Sequence, residues 1–145
     1  MKKALLRTMA ALAAVLCMVV PAAVAAPAQA ASSAAFLKGT WVGSSQGYWE
    51  GRHTEGMQKI VISTTKGHAA KGTWQYRSSS SSQWGKPAAV SFVVRSCSDG
   101  TLEVYGSDES GSYEGVYTPW TGVLEMAYMA PGEASGTLFF KLTKK

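Results

Sequence analysis

The sequence predicts an all-β protein, a barrel of eight antiparallel strands that follow one another up and down in chain order. Three observations predict this fold. After Phe36 the chain is rich in aromatic, β-branched and glycine residues, and no segment has a helical period. Several of the eight candidate strand segments alternate apolar with polar residues, as half-buried strands do. Short turns join them, which favours antiparallel neighbours, and closure removes the two edges that an open sheet exposes. A two-sheet β-sandwich is the alternative.

The first four strands are predicted over residues 37–44, 57–64, 69–77 and 88–95, where apolar residues recur at every second position. Alternation gives each strand one inner face, because successive side chains point to opposite sides of a sheet. The residues predicted to face inward on strands two to four are Ile60, Ile62, Gly72, Trp74, Tyr76, Val90, Phe92 and Val94.

The last four strands are predicted over residues 101–106, 112–118, 123–129 and 136–142. Gly100, Gly111 and Gly122 end the turns before three of them, and turns favour glycine for its backbone freedom. The residues predicted to face inward are Leu102, Val104, Tyr113, Tyr117, Leu124, Met126, Tyr128, Leu138, Phe140 and Leu142.

Two connections differ from simple turns. The segment 45–56 is the longest, and it predicts either a mobile lid or two long strand ends that meet at a turn. Five consecutive serines at 78–82 predict a solvated loop. The two lysines at the end of the chain are expected in solvent.

Residues 1–30 have the three parts of a secretory signal peptide: a basic start, an uncharged apolar middle and the small-residue cleavage site Ala28-Gln29-Ala30. The apolar run is too short for a membrane span, which needs roughly 20 residues. We therefore expect a secreted or periplasmic protein with a short linker at 31–35 and one barrel domain at 36–145. Cleavage leaves 11 basic and 9 acidic residues, a net charge of +2, with no basic stripe to indicate nucleic-acid binding.

The segments Gly39-Thr40-Trp41 and Gly72-Thr73-Trp74 resemble the opening strands of the avidin and streptavidin family. Lipocalins also begin their barrel with Gly-x-Trp. The avidin resemblance implies a biotin-binding barrel, but Gly43 stands where that family has asparagine and the whole chain has no asparagine. The resemblance therefore extends to an avidin-like or lipocalin-like barrel and not to the biotin contacts. Residues 39–43, 111–115 and 124–128 are also similar to small secreted microbial proteins of unassigned function.

Aromatic residues are the candidate ligand contacts, because aromatic walls suit apolar ligands and sugar faces. Core packing is the competing interpretation for those on strands. Residues in or beside predicted loops are explained less well by packing, and they are Tyr48, Trp49, Trp84 and Trp120. The candidates on strands are Trp41, Trp74, Tyr76 and Tyr128.

Other polar groups have weaker interpretations. Glu50, His53 and Glu55 lie close together in sequence, but their spacing matches no metal motif, so we expect a solvated segment and no metal or other cofactor. Glu103, Glu114 and Glu125 recur every eleven residues, which predicts either three solvated outer residues or an acidic stripe for a cation or a basic partner.

The mature chain would keep Cys97 alone of its two cysteines, which predicts a partly buried thiol, a reactive thiol or a disulfide-linked dimer. No nucleophile elbow, phosphate loop or zinc motif occurs, so the sequence gives no support for an enzyme. We expect an exported binding barrel for a small apolar or aromatic ligand. The alternative is a protein-interaction module, such as an inhibitor or envelope accessory factor, that uses the 45–56 segment and the barrel exterior.

Overall fold

The computed structural model describes residues 33–78, 83–132 and 135–145, and these form one closed barrel of antiparallel strands in chain order. The last strand pairs with the first, from Trp41 opposite Lys144 to Trp49 opposite Gly136. The predicted fold is confirmed, and this closure excludes the β-sandwich. The strands are β1 (Gly39–Trp49), β2 (Arg52–Lys66), β3 (Ala69–Ser78), β4 (Ala88–Ser96), β5 (Leu102–Ser107), β6 (Ser112–Thr118), β7 (Val123–Ala130) and β8 (Gly136–Lys144).

The strands form where side-chain alternation allows one face to be buried. β4 alternates without exception from Ala89 to Arg95, with Val90, Phe92 and Val94 buried and their neighbours exposed. β7 and β8 follow the same rule. The predicted inward faces are thereby confirmed, and one apolar core fills the barrel.

The segment 45–56 is not a lid. β1 and β2 both continue through it and meet at Glu50 and Gly51, whose φ angles are +50° and +73°. Positive φ at both central residues is the geometry of the two-residue hairpin turn that matches strand twist. Of the two predicted arrangements, the pair of long strand ends is correct.

A short 3₁₀ helix at Ala34–Leu37 covers one end of the barrel, which we call the closed end. The linker predicted at 31–35 therefore overlaps an ordered element. The backbone N–H of Ala34 donates to the carbonyl of Gly67, and Lys144 Nζ donates to the carbonyl of Phe36 over 3.0 Å. Lys144 is exposed, as expected, and it also links this helix to the end of β8.

Trp84 and Gly85, in the connection between β3 and β4, lie against the outer wall at the opposite, open end. The N–H of Gly85 donates to the carbonyl of Tyr76, and the amide of Gln75 donates to the carbonyl of Gly85. The ring of Trp84 lies 4.7 Å from Lys59 Nζ and 4.6 Å from Arg77 Cζ. Such cation–π contacts attach Trp84 to the outside of β2 and β3.

Two predictions fall outside the described residues: the signal peptide at 1–30 and the serine run from 79 to 82. Ser78, the first serine of that run, is the last residue of β3. Across the ranges that the structure describes, no helix has the length and apolar character needed to cross a membrane.

Candidate ligand site at the open end of the barrel

Three aromatic rings form a layer across the open half of the barrel. The rings of Trp49 and Tyr128 are 11° from parallel with centroids 6.1 Å apart, and those of Trp74 and Tyr128 are 26° from parallel at 5.8 Å. These are offset stacks. Tyr128 is buried, whereas Trp49 and Trp74 are only half-buried and pack on the core from its solvent side. Trp49 and Trp74 therefore keep part of their ring surface exposed to water. We call these three residues the aromatic layer.

Tyr76 lies beside this layer on β3. Its ring covers Gly56, where a methyl group would meet the ring at 2.4 Å, and its hydroxyl donates to the carbonyl of Glu55 over 3.0 Å. The ring is half-buried, and burial raises the pKa of the hydroxyl. A glycine at position 56 thus makes the space that Tyr76 occupies.

A series of hydrogen-bonded polar side chains lies below the aromatic layer. The indole N–H of Trp74 donates to Gln58 Oε1, and Gln58 Nε2 donates to Ser45 Oγ over 3.0 Å. Gln58 and Ser45 are the two buried polar residues of the described chain. A buried amide is costly unless it is hydrogen-bonded, so these bonds hold Trp74 in one orientation.

Asp108 ties the β5–β6 turn to the barrel interior. Its Oδ1 accepts from the backbone N–H groups of Ser110 and Gly111, each at 2.8 Å. Its Oδ2 accepts from the Tyr113 hydroxyl at 2.7 Å, and the Tyr128 hydroxyl lies 3.4 Å from Oδ1. One carboxylate therefore positions both a turn and the ring at the centre of the aromatic layer.

The electrostatics follow from these contacts. Burial would raise the pKa of Asp108, but the hydrogen bonds from Tyr113, Ser110 and Gly111 outweigh it and lower the pKa below its ordinary value. Burial, followed by the bond to Asp108, raises the pKa of Tyr113. Burial also raises the pKa of Tyr128. At neutral pH the site therefore holds one carboxylate and neutral tyrosines.

We expect Asp108→Asn to lower the free energy of unfolding by about 1–2 kcal/mol at pH 7, because charge-assisted hydrogen bonds are lost while water partly replaces them. The pKa of Asp108 is lower in the folded protein than the ordinary value of 3.8, so its contribution is present above about pH 4. It disappears as the pH falls through the folded pKa. Urea unfolding at pH 7 and pH 3 measures this.

Glu109→Gln is the matched control, because Glu109 is an exposed carboxylate in the same turn. It should change stability by less than about 0.5 kcal/mol. A loss in Asp108→Asn that is equally large at pH 3 and pH 7 would contradict the assigned role of the charge.

The eight aromatic candidates do not form one site. The structure brings Trp49, Trp74, Tyr76 and Tyr128 together at the open end. Trp41 is 1% exposed at the closed end, and Trp120, 69% exposed, lies in the β6–β7 turn at the same end. Tyr48 faces outward on β1 against His53, with ring centroids 5.6 Å apart, and Trp84 lies on the outer wall.

The candidate metal-binding, thiol and acidic residues also do not come together in one site. His53 and Glu55 are exposed residues of β2 and Glu50 is in the hairpin turn, and no group of three metal-binding side chains occurs among the described residues. Cys97 is half-buried after β4 and has no disulfide within the described chain. Glu103, Glu114 and Glu125 lie on the outer face, staggered rather than opposite, because Val116 pairs with both Glu103 and Glu125.

Sequence reasoning missed Gln58, Ser45 and Asp108. A signal for Gln58 was present, since Gln58, Ile60 and Ile62 share the inward parity of β2. Ser45 was assigned to a loop, and its inward position follows only from the longer β1. Asp108 was assigned to a turn, and no local pattern shows that two tyrosines from other strands reach it.

No protein-family model and no curated protein sequence matches the chain. Solved barrels are similar in fold. The structure of EF1p2_mFAP2b bound to DFHBI superposes with a TM-score of 0.53 at 12% identity, covering 79% of this chain and 98% of that one.

A redesigned β-barrel, b11L5F_LGL, has a TM-score of 0.47 at 16% identity, covering 80% of this chain and 97% of that one. The crystal structure of Rv2717c from M. tuberculosis has a TM-score of 0.45 at 16% identity, covering 76% and 93%. At these identities the likeness to EF1p2_mFAP2b shows the small-barrel fold alone.

Proposed function

We propose that this protein is an exported, non-enzymatic binding barrel that takes a small planar apolar or aromatic ligand at its open end. The observation that carries the proposal is the aromatic layer, in which Trp49 and Trp74 are half-buried above a buried Tyr128. Aromatic faces next to water bind flat apolar molecules, because stacking adds to the gain from burial.

The polar groups beneath the layer support the same proposal. Gln58 and Asp108 hold Trp74 and Tyr128 in fixed orientations before any ligand arrives, and a preorganised surface loses less conformational entropy on binding. The similar barrel EF1p2_mFAP2b was solved with DFHBI bound, so this fold is compatible with a ligand. The proposal includes export, which rests on the signal-peptide pattern of residues 1–30.

The test uses N-phenyl-1-naphthylamine, a neutral aromatic probe, titrated into the mature protein while its emission and tryptophan emission are recorded. We expect saturable binding, and Trp49→Ala should weaken it about tenfold, since a stacked ring contributes about 1.4 kcal/mol. Trp120→Ala removes an exposed ring far from the site and should leave the affinity unchanged.

Native mass spectrometry of protein recovered from an exporting host completes the test. We expect the mass of a chain cleaved after Ala30 together with an added mass that leaves on denaturation. The proposal is wrong if no added mass is found and the probe either fails to saturate or binds Trp49→Ala as tightly as the unaltered protein.

A further inference from the structure

A groove of about 780 Å³ runs around the outer wall of the barrel, across β6, β7, β8, β1 and β2. The groove follows one row of paired residues across these strands, and the outward side chains of the rows on either side form its two rims. Val116, Glu125 and Lys141 lie on one rim, and Ala127, Phe139 and Gln46 lie on the other. We call this feature the outer groove. It is separate from the aromatic layer, whose rings face the barrel interior.

The floor of the outer groove is backbone. Gly115, Met126, Phe140, Ser45 and Gly56 follow one another in register across the five strands, and their side chains point inward or are absent. Five strands about 4.8 Å apart make a groove about 19 Å long, which matches about six residues of extended chain at about 3.3 Å each. The dimensions suit a peptide segment better than a globular surface.

The rims carry apolar side chains that are exposed to water. Phe139 is 58% exposed and Val116 is 41% exposed, and Ala127 pairs directly with Phe139. Exposed Tyr105 and Met129 extend this surface on β5 and β7. Contiguous exposed apolar residues on an ordered sheet mark interaction surfaces.

Carboxylates outnumber cations along the outer groove, because Glu55, Glu114 and Glu125 lie in or beside it and Lys141 is the one cation among its lining residues. One row of outward residues runs across the strands from Glu55 on β2 to Glu114 on β6. Neither of these two carboxylates makes an ion pair within the described chain. Glu125 is 3.5 Å from Lys141 and Glu103 is 4.0 Å from Arg95. The Glu125–Lys141 pair is largely exposed on both sides and therefore weak, so it leaves Glu125 available to a partner.

The wall that adjoins the β2 end of the outer groove has the reverse sign. The outward charged residues of β3 and of β2 after Gly56 are Lys59, Lys66, Lys71 and Arg77. The barrel is thus polarised around its circumference, with its apolar groove on the acidic side. Two copies that met through this groove about a two-fold axis would bring two sets of carboxylates together with only Lys141 of each copy to offset them, which disfavours a symmetric dimer.

We propose that the outer groove binds an extended, lysine- or arginine-containing segment of another polypeptide. One apolar side chain of the segment packs on Phe139, and its cationic side chains meet Glu114, Glu125 and Glu55. Complementary charge steers the encounter, and burial of the Phe139 ring provides apolar contact. This inference does not depend on the ligand proposed for the open end.

The test is a nuclear magnetic resonance titration of isotope-labelled protein with a six-residue peptide that alternates lysine with phenylalanine, blocked at both ends. We expect saturable shifts of the backbone amides of Val116, Ala127 and Phe139. The double variant Glu114→Gln/Glu125→Gln should weaken binding about tenfold, consistent with two exposed charge contacts. Phe139→Ser should weaken it as well, and each variant's own spectrum reports whether it is folded.

Glu109→Gln removes an exposed carboxylate away from the groove and is the matched control. A peptide in which glutamate replaces lysine should not bind. The proposal fails if the shifts are scattered over the barrel, if Glu109→Gln weakens binding as much as the groove variants do, or if the groove amides shift with protein concentration alone, which would indicate self-association.

Discussion

Gly72→Ala is expected to destabilise the barrel by at least about 3 kcal/mol, the upper end of the range for overpacking. A Cβ atom at this position would lie 1.9 Å from the carbonyl oxygen of Val61 and 2.9 Å from the Cα of Ile62. Both are backbone atoms of the neighbouring strand, so no side chain can rotate away. Urea unfolding of the two proteins measures the difference.

Whether Gly72→Ala lowers or raises the free energy of unfolding distinguishes a close strand contact from an unstrained position. Glycine-to-alanine changes at compatible positions stabilise proteins by about 0.4–1 kcal/mol, because they restrict the unfolded chain. Lys71→Ala, on the exposed face of the same strand, is the control and should change stability by less than about 0.5 kcal/mol. A neutral or stabilised Gly72→Ala would show that β2 and β3 do not approach so closely.

The same contact explains one of the two Gly-Thr-Trp segments. At Gly72 the glycine permits close approach of two strands that bend around the barrel. At Gly39 the reason is different, because its φ of +122° is a conformation that other residues rarely adopt. The two similar segments therefore use glycine for two separate purposes.

Trp41→Ala is expected to lower the free energy of unfolding by about 3–5 kcal/mol, as for other buried aromatic residues. The indole N–H donates to the carbonyl of Leu37 over 2.8 Å, and Phe36 and Tyr117 meet its ring edge-on at 6.5 and 5.7 Å. Removing the ring leaves a cavity and frees the 3₁₀ helix from the closed end. Chemical denaturation monitored by circular dichroism measures the loss.

Trp120→Ala makes the same chemical change at an exposed position and should cost less than about 0.5 kcal/mol. Trp41→Phe keeps a ring but removes the hydrogen bond, so it should cost an intermediate amount of about 1–3 kcal/mol. Equal losses for Trp41→Ala and Trp120→Ala would contradict the closed-end packing. The packing of Trp41 also removes it from the ligand contacts that we propose.

Much of the fold was predictable because alternation is a local property of the chain. In β4, Val90, Phe92 and Val94 must share a face whatever the rest of the protein does, and short turns then make neighbouring strands antiparallel. The 3₁₀ helix was not predictable, since Ala34 and Ala35 carry no strong local preference. Its stability depends on Trp41 and Lys144, which lie elsewhere in the sequence.

The candidate site was predictable only by residue type. Trp41 and Trp74 follow identical dipeptides, yet Trp41 is sealed at one end of the barrel and Trp74 is half-buried towards the other. Trp41, Ile60 and Trp74 lie in one strand-to-strand row, and the tilt of the strands in a closed barrel places the members of such a row at different heights. Asp108 and Tyr128 meet for the same reason.

The sequence by itself thus determined which apolar residues of strands such as β4, β7 and β8 face the core, since their side chains alternate with a period of two. The tertiary structure alone decided which end of the barrel each aromatic ring occupies, which polar groups hold it, and where outward residues line up into a groove. Those properties arise from strand register and closure, which join residues far apart in the chain.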